Sequence, residues 1–273
     1  QGVWQCPTLV SLHVPIEPTV SVFRRPAYET IEDAGWVTAC SRALLDHARW
    51  MVPGIRGRCS VVYNGLPAAE TAPDPCAADP CQIICVGRLV EQKGFATAIR
   101  ALALLGPRHP RVRLRIVGDG PERGALERLA AETGVAARVE FSGWLDQAAV
   151  MAAISRAGSV LMPSEWEPFG LVALQAGQAM RPVVASRVDG LPEVVEDTVT
   201  GLLAEPGNAQ EFARALTRLL EDPALAQRMG AAGAARAAER FSAARMIHAF
   251  DELYAKMVAG PRAAPDGEGR YAG

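Results

Sequence analysis

Residues 164–182 of this chain read SEWEPFGLVALQAGQAMRP. They follow a predicted strand, 159–162, and contain a predicted helix, 171–178. Glu167 stands at the Pro-Phe-Gly turn that opens the helix, and Gln175 follows eight positions later on the same helical face. The helix start offers N–H groups and the positive end of its dipole, which favour a phosphate. A carboxylate and an amide so placed can hold two hydroxyl-rich parts of one ligand, which suits a nucleotide sugar. The alternative is a solvated glutamate that interacts only with the dipole.

Short apolar or β-branched runs alternate with longer helical patterns along the chain. The predicted strands are 8–13, 36–39, 60–63, 82–86, 113–117, 138–141, 159–162, 182–185 and 202–204. The predicted helices include 44–51, 96–105, 122–132, 147–156, 171–178 and 210–220. This alternation predicts an α/β fold of parallel sheets with helices on both faces. Several strands are apolar throughout, as expected when both faces of a sheet are covered.

The stretch 67–80, PAAETAPDPCAADP, lacks periodicity and is rich in Pro, Ala and Asp, which predicts a linker between two domains. The strands before it are too few for a complete domain, whereas a full set of strand–helix units follows it. We therefore expect an incomplete α/β domain at 1–66, a complete one at 81–240, a helix with one apolar stripe at 241–258 and a disordered tail at 259–273.

Composition narrows the function classes. With 49% hydrophobic and 21% charged residues the chain is typical of a soluble globular enzyme. Its net charge of −2 gives no general attraction to nucleic acid or anionic lipid. No apolar run is long enough to span a bilayer and no signal peptide is visible, although the chain starts at Gln1, which leaves an upstream segment open. The 6 cysteines form no CxxC pair, so we expect no metal site and free thiols in a reducing cytoplasm.

A possible diphosphate site follows the strand at 82–86. Arg88 and Lys93 lie in the loop between this strand and the next helix, and ligands of open α/β sheets bind at the carboxyl ends of strands. Two cations beside a helix N-terminus can clamp a diphosphate. The alternative is a pair of solvated surface cations, with Glu91 as a candidate ion-pair partner.

Other strand ends carry weaker signals. The sequence GDGP at 118–121 lacks the G-x-G-x-x-G spacing of a dinucleotide loop and predicts a tight turn that either admits a ligand or is purely structural. The backbone near Trp144 could pair with a base edge, and its ring either stacks or packs. His13 ends an early strand and is either structural or catalytic. Glu193 either touches a ligand or caps a helix, and we favour the cap.

Taken together, these motifs resemble the retaining glycosyltransferases of the GT-B fold, the family 4 type that includes sucrose synthase and many bacterial mannosyl- and glucosyltransferases. The resemblance covers 8–254 and implies two Rossmann-like domains, the first incomplete. The matching stretches, in the family's order, are VVYNGLP (61–67), VGRLVEQKGF (86–95), IVGDGP (116–121), VEFSGWL (139–145), PSEWEPFGLVALQA (163–176), RPVVAS (181–186) and GLPEVVEDTVTGLL (190–203).

The resemblance implies a role for each candidate residue. Arg88 and Lys93 would bind the donor's phosphates, and Glu167 would hold hydroxyls of the transferred sugar. His13 would face that sugar from the first domain, and the final helix would cross back to pack on this domain. The implied donor-binding positions are Gly87, Gly118, Gly143, Trp144, Phe169, Gly170, Leu171 and Gln175.

The expected reaction is transfer of a hexose from a UDP-, GDP- or ADP-sugar to an unknown glycan, lipid or small molecule, without metal or cofactor. We expect a cytoplasmic protein with no nucleic-acid partner, and peripheral membrane contact stays open. The family usually has Glu where this chain has Gln175, and Gly is common where it has Met180. The amide can still bind ribose hydroxyls but lacks the charge, so weaker donor binding with retained activity is our hypothesis. A non-catalytic nucleotide-sugar-binding fragment and a related GT-B phosphorylase or epimerase are the alternatives.

Overall fold

A computed structural model describes residues 7–15, 24–68, 78–106 and 108–259 of the chain. Most of the predicted linker at 67–80 and all but the first residue of the predicted tail at 259–273 lie outside the described residues. The predicted division into domains therefore stays a prediction.

Nine strands and ten helices make up the described part of the chain. The strands are β1 (Leu9–Leu12), β2 (Trp36–Ala39), β3 (Cys59–Val61), β4 (Asp79–Val86), β5 (Arg113–Val117), β6 (Val139–Gly143), β7 (Ala157–Met162), β8 (Val183–Ser186) and β9 (Gly201–Ala204). The helices are α1 (Arg24–Asp33), α2 (Arg42–Met51), α3 (Phe95–Leu105), α4 (Arg123–Glu132), α5 (Gln147–Arg156), α6 (Leu171–Gln178), α7 (Leu191–Val194), α8 (Ala209–Glu221), α9 (Pro223–Arg240) and α10 (Ala243–Ala259).

The strands form two parallel sheets, which confirms the predicted α/β fold. The first sheet has the order β1-β2-β3 and the second the order β6-β5-β4-β7-β8-β9. In the second sheet the chain moves outward from β4 through β5 to β6 and then returns to β7 on the other side of β4. The strand order thus reverses between β4 and β7, and the carboxyl ends of these two strands flank the crevice where open α/β sheets bind ligands.

Both faces of the second sheet are buried, as the unbroken apolar strands predicted. Along β4, Ile84 belongs to one hydrophobic core, whereas its neighbours Ile83 and Cys85 belong to the other. Successive side chains of a strand point to opposite faces, so one strand contributes to both cores. The core that contains Ile84 continues into the first sheet, where it includes Val37 and Ala39 of β2.

Helix α10 connects the second sheet back to the first. Its N-terminal neighbour Phe241 accepts a hydrogen bond from the N–H of Leu66 at 2.9 Å, and Leu66 in turn accepts one from Ala243 at 2.8 Å. Further along, the Lys256 ammonium lies 4.1 Å from the ring centroid of Trp36 in β2, a cation–π contact. The last helix therefore contacts the strand that forms the centre of the first sheet.

Two helices, α1 and α9, were not predicted from the sequence. Helix α9 reads PALAQRMGAAGAARAAER and buries only Met229, Gly230 and Ala237. Alanine-rich segments form good helices but show no apolar stripe, so the periodicity that located the other helices is weak here. The helix forms because it packs on α6 of the second sheet.

Two absences hold for the described residues. No helix there is both long and apolar enough to cross a membrane. Nor does that part of the chain bring three His, Cys, Asp or Glu side chains together as metal ligands.

The close packing of the loops after β4 and β7 can be tested at Gly94. This glycine has φ 63°, and a Cβ there would overlap the carbonyl oxygen of Pro163. Gly134 has φ 72° but no atom within 4 Å of the point that a Cβ would occupy, so it serves as the matched control. We expect Gly134→Ala to lower the free energy of unfolding by about 1–2 kcal/mol through backbone strain alone. Gly94→Ala should lose about 1–3 kcal/mol more because the carbonyl must move.

Urea unfolding monitored by circular dichroism measures both variants. Equal losses for the two substitutions would show that Gly94 is not packed against Pro163.

Candidate active site

The loops that follow β4 and β7 are joined by hydrogen bonds. The Glu165 N–H donates to the carbonyl oxygen of Gln92 at 2.8 Å. The Gln92 side-chain amide donates in return to the carbonyl oxygen of Trp166 at 3.3 Å. These bonds hold the two loops at a fixed spacing, at the point where the strand order of the sheet reverses.

This spacing brings Lys93 and Glu167 together. The Lys93 Nζ lies 2.6 Å from Glu167 Oε2, and the two side chains are 24% and 11% exposed. A carboxylate so far removed from water needs a charged or hydrogen-bonding partner, and Lys93 supplies both. The sequence placed the two residues in one site but did not predict this ion pair.

The backbone of Glu167 is held on both sides by the loop after β8. Its N–H donates to Asp189 Oδ2 at 3.0 Å, and its carbonyl oxygen accepts from the Gly190 N–H at 3.1 Å. Asp189 adopts φ 42°, an uncommon conformation for a residue other than glycine. The sequence analysis did not select Asp189. The pattern that could have identified it is the Asp-Gly pair at the end of a strand, which is typical of a turn.

Helix α6 begins next to Glu167 without a side-chain cap. Gly170 occupies its N-cap position and makes no side-chain hydrogen bond, and within the described residues nothing accepts from the N–H groups of Leu171 and Val172. Leu171 is 45% exposed, whereas Phe169 is buried. Gln175 lies one turn after Leu171, half-buried, and its side chain has no partner among the described residues. The helix thus presents unpaired N–H groups beside the Lys93–Glu167 pair.

Arg88 lies in a rigid loop but keeps an exposed side chain. The next residue, Leu89, donates from its N–H to the carbonyl oxygen of Asp119 at 3.0 Å and accepts from the Glu122 N–H at 3.0 Å. Gly87 is held in the same way by the carbonyl oxygen of Val117 at 2.9 Å. Within the described part of the chain, the Arg88 guanidinium has no ion-pair partner, so the candidate pairing with Glu91 does not form.

The predicted base-binding segment is partly engaged in structural bonds. Gly143 accepts a hydrogen bond on its carbonyl oxygen from the Gly118 N–H at 2.8 Å, which makes the turn at Gly118 a structural link between β5 and β6. Trp144 is 77% exposed. A place in the core is therefore wrong for this ring, whereas a place at the rim and stacking on a ligand both stay predictions.

The carboxyl edge of the first sheet faces the Glu167 loop. Cys40, which follows β2, donates from its N–H to the carbonyl oxygen of Leu12 at 3.2 Å, and its Sγ lies 4.0 Å from the carbonyl oxygen of Pro168. His13 comes directly after Leu12 at this edge. It is exposed, and its Nε2 lies 3.2 Å from Ser11 Oγ.

A sequence profile of the family described as "Glycosyl transferases group 1" matches residues 73–236. The chain belongs to this family. The match includes Arg88, Lys93, Glu167 and Gln175. It covers all strands of the second sheet and ends within α9. The sequence motifs predicted a glycosyltransferase, and this prediction is confirmed. The finer assignment to a retaining enzyme of family 4 stays a prediction.

Curated relatives of this group 1 chain are longer than it is. The glycogen synthase of Mycobacterium tuberculosis is 33% identical over 238 residues, which are 85% of this chain and 56% of that protein. The α-D-kanosaminyltransferase of Streptomyces kanamyceticus is 36% identical over 160 residues, 59% of this chain and 42% of that protein. The chain thus spans about half the length of the curated relatives it matches.

Solved structures agree with this assignment. Alr3699/HepE of Anabaena, crystallised with UDP and glucose, superposes with a TM-score of 0.82 at 27% identity and covers 92% of this chain and 72% of that chain. The sucrose-phosphate synthase of Thermosynechococcus elongatus gives a TM-score of 0.82 at 28% identity, over 93% of this chain and 68% of that one. The predicted GT-B fold of this group 1 member is confirmed.

Cys40 provides a direct test of how tightly the two sheets meet at the site. Burial raises the pKa of the Cys40 thiol from the usual 9.0 to about 11, so at pH 8 only about a thousandth of it is the reactive thiolate. Cys59 and Cys81 are free thiols and only half-buried. We expect iodoacetamide to modify Cys59 and Cys81 well before Cys40 at pH 8, as measured by peptide mass spectrometry.

The raised pKa of Cys40 makes the stability of the fold depend on pH. Burying the neutral Cys40 thiol favours the folded state below pH 9, and this contribution is lost as the pH rises towards about 11. Labelling of Cys40 should accelerate over the same range. Modification of Cys40 at pH 8 as fast as that of Cys59 would contradict the packing against Pro168.

Proposed function

We propose that this chain forms the donor site of a retaining glycosyltransferase of family 4 that transfers a hexose from a nucleoside-diphosphate sugar to an acceptor. The observation that carries the proposal is the Lys93–Glu167 pair at 2.6 Å, which lies at the crevice between β4 and β7, beside the uncapped start of α6. These groups suit a sugar diphosphate. The cation and the free N–H groups can bind the phosphates, and the carboxylate can accept hydrogen bonds from the sugar hydroxyls.

Arg88 and Lys93 bind the donor's two phosphates in this proposal. The exposed Arg88 guanidinium can form bidentate bonds to phosphate oxygens. The Lys93 ammonium, paired with Glu167 in the absence of ligand, turns to the other phosphate when the donor binds. The N–H groups at the start of α6 add neutral donors to the same anion. Gly87 and Gly118 belong to the turns that hold this clamp in place, and Gln175 binds the ribose one helical turn further in.

Glu167 holds hydroxyl groups of the transferred sugar. Its side chain is mostly buried and its backbone is clamped by Asp189 and Gly190, so its direction is set before the ligand arrives. When Lys93 turns towards a phosphate, sugar hydroxyls can donate to the carboxylate that it leaves. The sugar and the diphosphate therefore satisfy the two halves of one ion pair.

The reaction requires the bond between the sugar C1 and the diphosphate oxygen to break, with its electron pair leaving on the diphosphate. A new bond then forms from the acceptor hydroxyl to C1 on the same face, and the hydroxyl proton passes to the departing phosphate. Arg88 and Lys93 stabilise the charge that develops on the leaving group. These two cations are the reason we propose that no metal is required. His13 faces the sugar from the first sheet.

The proposed donor and cellular location rest on one solved structure and on the cysteines. HepE was crystallised with UDP and with glucose, so UDP-glucose is the first donor to test, with GDP- and ADP-sugars next. We propose a cytoplasmic location because the four described cysteines are free. The acceptor is a glycan, a lipid or a small molecule.

One observation favours a second candidate function, nucleotide-sugar binding without turnover. Gln175 stands where the resembled family usually has a glutamate, and its side chain is neutral. A donor that binds but is never hydrolysed would support this candidate, whereas measurable hydrolysis of the donor would support the transferase.

The phosphate clamp is tested with Arg88→Ala. Losing a charged hydrogen bond to phosphate costs about 1.5–3 kcal/mol, which is about a tenfold to more than a hundredfold rise in Kd. Arg214→Ala removes an exposed arginine of α8, outside the loops after β4 and β7, and is the matched control. Titration calorimetry with UDP, GDP and ADP measures the wild type and both variants.

A rise in Kd for one nucleotide in Arg88→Ala, with Arg214→Ala unchanged, supports the clamp and names the base. No binding of any of the three nucleotides or their hexose conjugates to the wild-type chain would reject the proposed function.

The role of position 175 is tested with Gln175→Glu. A charged acceptor binds ribose hydroxyls more strongly than a neutral amide, by about 1 kcal/mol, so we expect about fivefold tighter donor binding. Gln210→Glu makes the same charge change at an exposed position of α8 and should leave the Kd unchanged. A Gln175→Glu variant with wild-type affinity and rate would show that this residue does not contact the donor.

A further inference from the structure

The Glu193 side chain connects the two sheets by hydrogen bonds to the start of α2. Its Oε2 accepts a hydrogen bond from the Arg42 N–H at 2.9 Å, and its Oε1 accepts one from the Ala43 N–H at 2.9 Å. Of the two roles considered for Glu193, helix capping is confirmed. The capped helix, however, is α2 of the first sheet, whereas Glu193 lies in α7 of the second.

The four N–H groups at the start of α2 are all paired, two of them by Glu193. Leu44 donates to Ser41 Oγ at 3.1 Å, and Leu45 donates to the Ser41 carbonyl oxygen at 3.1 Å. Arg42 and Ala43 have no partner within their own helix, because the carbonyl groups four residues earlier lie before its start. The cap of α2 is therefore complete only when the second sheet is in its place.

Tyr63 adds a third bond from the first sheet to the same carboxylate. Its hydroxyl donates to Glu193 Oε2 at 2.9 Å, and burial, with Glu193 beside it, raises the pKa of Tyr63. The Tyr63 ring contacts Phe169 and Phe241, with centroids 6.1 Å and 5.4 Å away. Phe169 comes two residues after Glu167, so the contact reaches the candidate active site.

The segment that carries Glu193 also holds Glu167. Asp189 and Gly190, four and three residues earlier, bind both sides of the Glu167 backbone. The far side of the segment is fixed by Arg236, which donates to the carbonyl oxygens of Glu193 and Val194, each at 2.9 Å. One short segment thus binds the backbone of Glu167 at its start and the first turn of α2 at its end.

We propose that Glu193 is a positioning residue that sets the distance between the carboxyl edge of the first sheet, with His13 and Cys40, and the Glu167 loop. The link is directional: two N–H groups and the positive end of α2 fix a single carboxylate. Without it, the Cys40–Pro168 contact and the aromatic contact would remain at this edge, and aromatic packing tolerates sliding. The kinetic part of this inference rests on the proposed function, but the structural part does not.

Loss of the link should leave nucleotide binding intact. The proposed phosphate site lies entirely in loops and helix ends around the second sheet, at Arg88, Lys93 and the start of α6. Glu193→Ala should therefore keep the Kd for the nucleoside diphosphate within about twofold of wild type. Turnover needs the first sheet's edge at the sugar, and a displacement of about 1 Å there can cost about a hundredfold in rate. We expect kcat for donor hydrolysis to fall at least tenfold.

The first measurement is residue-resolved hydrogen exchange by NMR, which needs no activity. In Glu193→Ala the amides of Arg42 and Ala43 should exchange at least about tenfold faster, whereas Leu44 stays protected by Ser41. Asp222→Ala is the matched control, because Asp222 caps α9 within the second sheet by accepting from the Leu225 N–H at 2.9 Å. It should expose Leu225 and leave Arg42 and Ala43 unchanged. If Glu193→Ala does not fold, Glu193→Gln keeps the shape of the side chain and should expose one of the two amides.

The second measurement compares Kd, kcat and small-angle X-ray scattering for the same variants. A wider distance distribution and a lower kcat in Glu193→Ala at unchanged Kd, with Asp222→Ala as wild type, support the positioning role. Faster exchange with unchanged scattering and kcat would reduce Glu193 to a local cap and overturn it. Unchanged exchange at Arg42 and Ala43 would remove its basis. A wild-type chain that binds no nucleotide rejects the proposed function instead, while exchange and scattering still decide the role of Glu193.

Discussion

The carboxylate of Glu167 is held mostly out of water, and the surrounding loops are organised to keep it there. Burying a charge is costly unless a partner and hydrogen bonds replace the lost water. Lys93 supplies the counter-charge at 2.6 Å, and Asp189 and Gly190 fix the backbone on either side. These partners come from the loops after β4 and β8, so the site depends on the spacing of strands in the sheet and not on any single loop.

The contact between the two sheets combines forces of different character. An aromatic cluster of Tyr63, Phe169 and Phe241 supplies buried area, with little preference for one exact placement. Glu193 supplies direction, because its two oxygens bind two N–H groups of α2 and the Tyr63 hydroxyl. Both contacts involve the segments that flank or hold Glu167. A change in the packing of one sheet on the other would therefore displace residues of the proposed sugar site.

Several parts of the fold could be predicted because their signals are local. The strands β2 and β5 and the helices α5 and α6 begin and end at the predicted residues, since apolar runs and turn residues mark them directly. Helix α9 could not be predicted, because its alanine-rich sequence has no stripe and it gains its packing surface from α6. The candidate pairing of Arg88 with Glu91 failed for a related reason: a loop charge pairs according to the path of the loop, which sequence proximity does not reveal.

By itself the sequence determined the α/β class, the family and the residues that gather at the crevice, because strand ends, glycine turns and motif order are written in consecutive positions. Only the tertiary structure decided how those residues pair. Lys93 and Glu167 are 74 positions apart, and Glu193 lies 151 positions from Arg42. Such contacts arise from strand order and from the docking of one sheet on another, so no local pattern encodes them. Asp189 and Glu193 acquire their roles only in that three-dimensional setting.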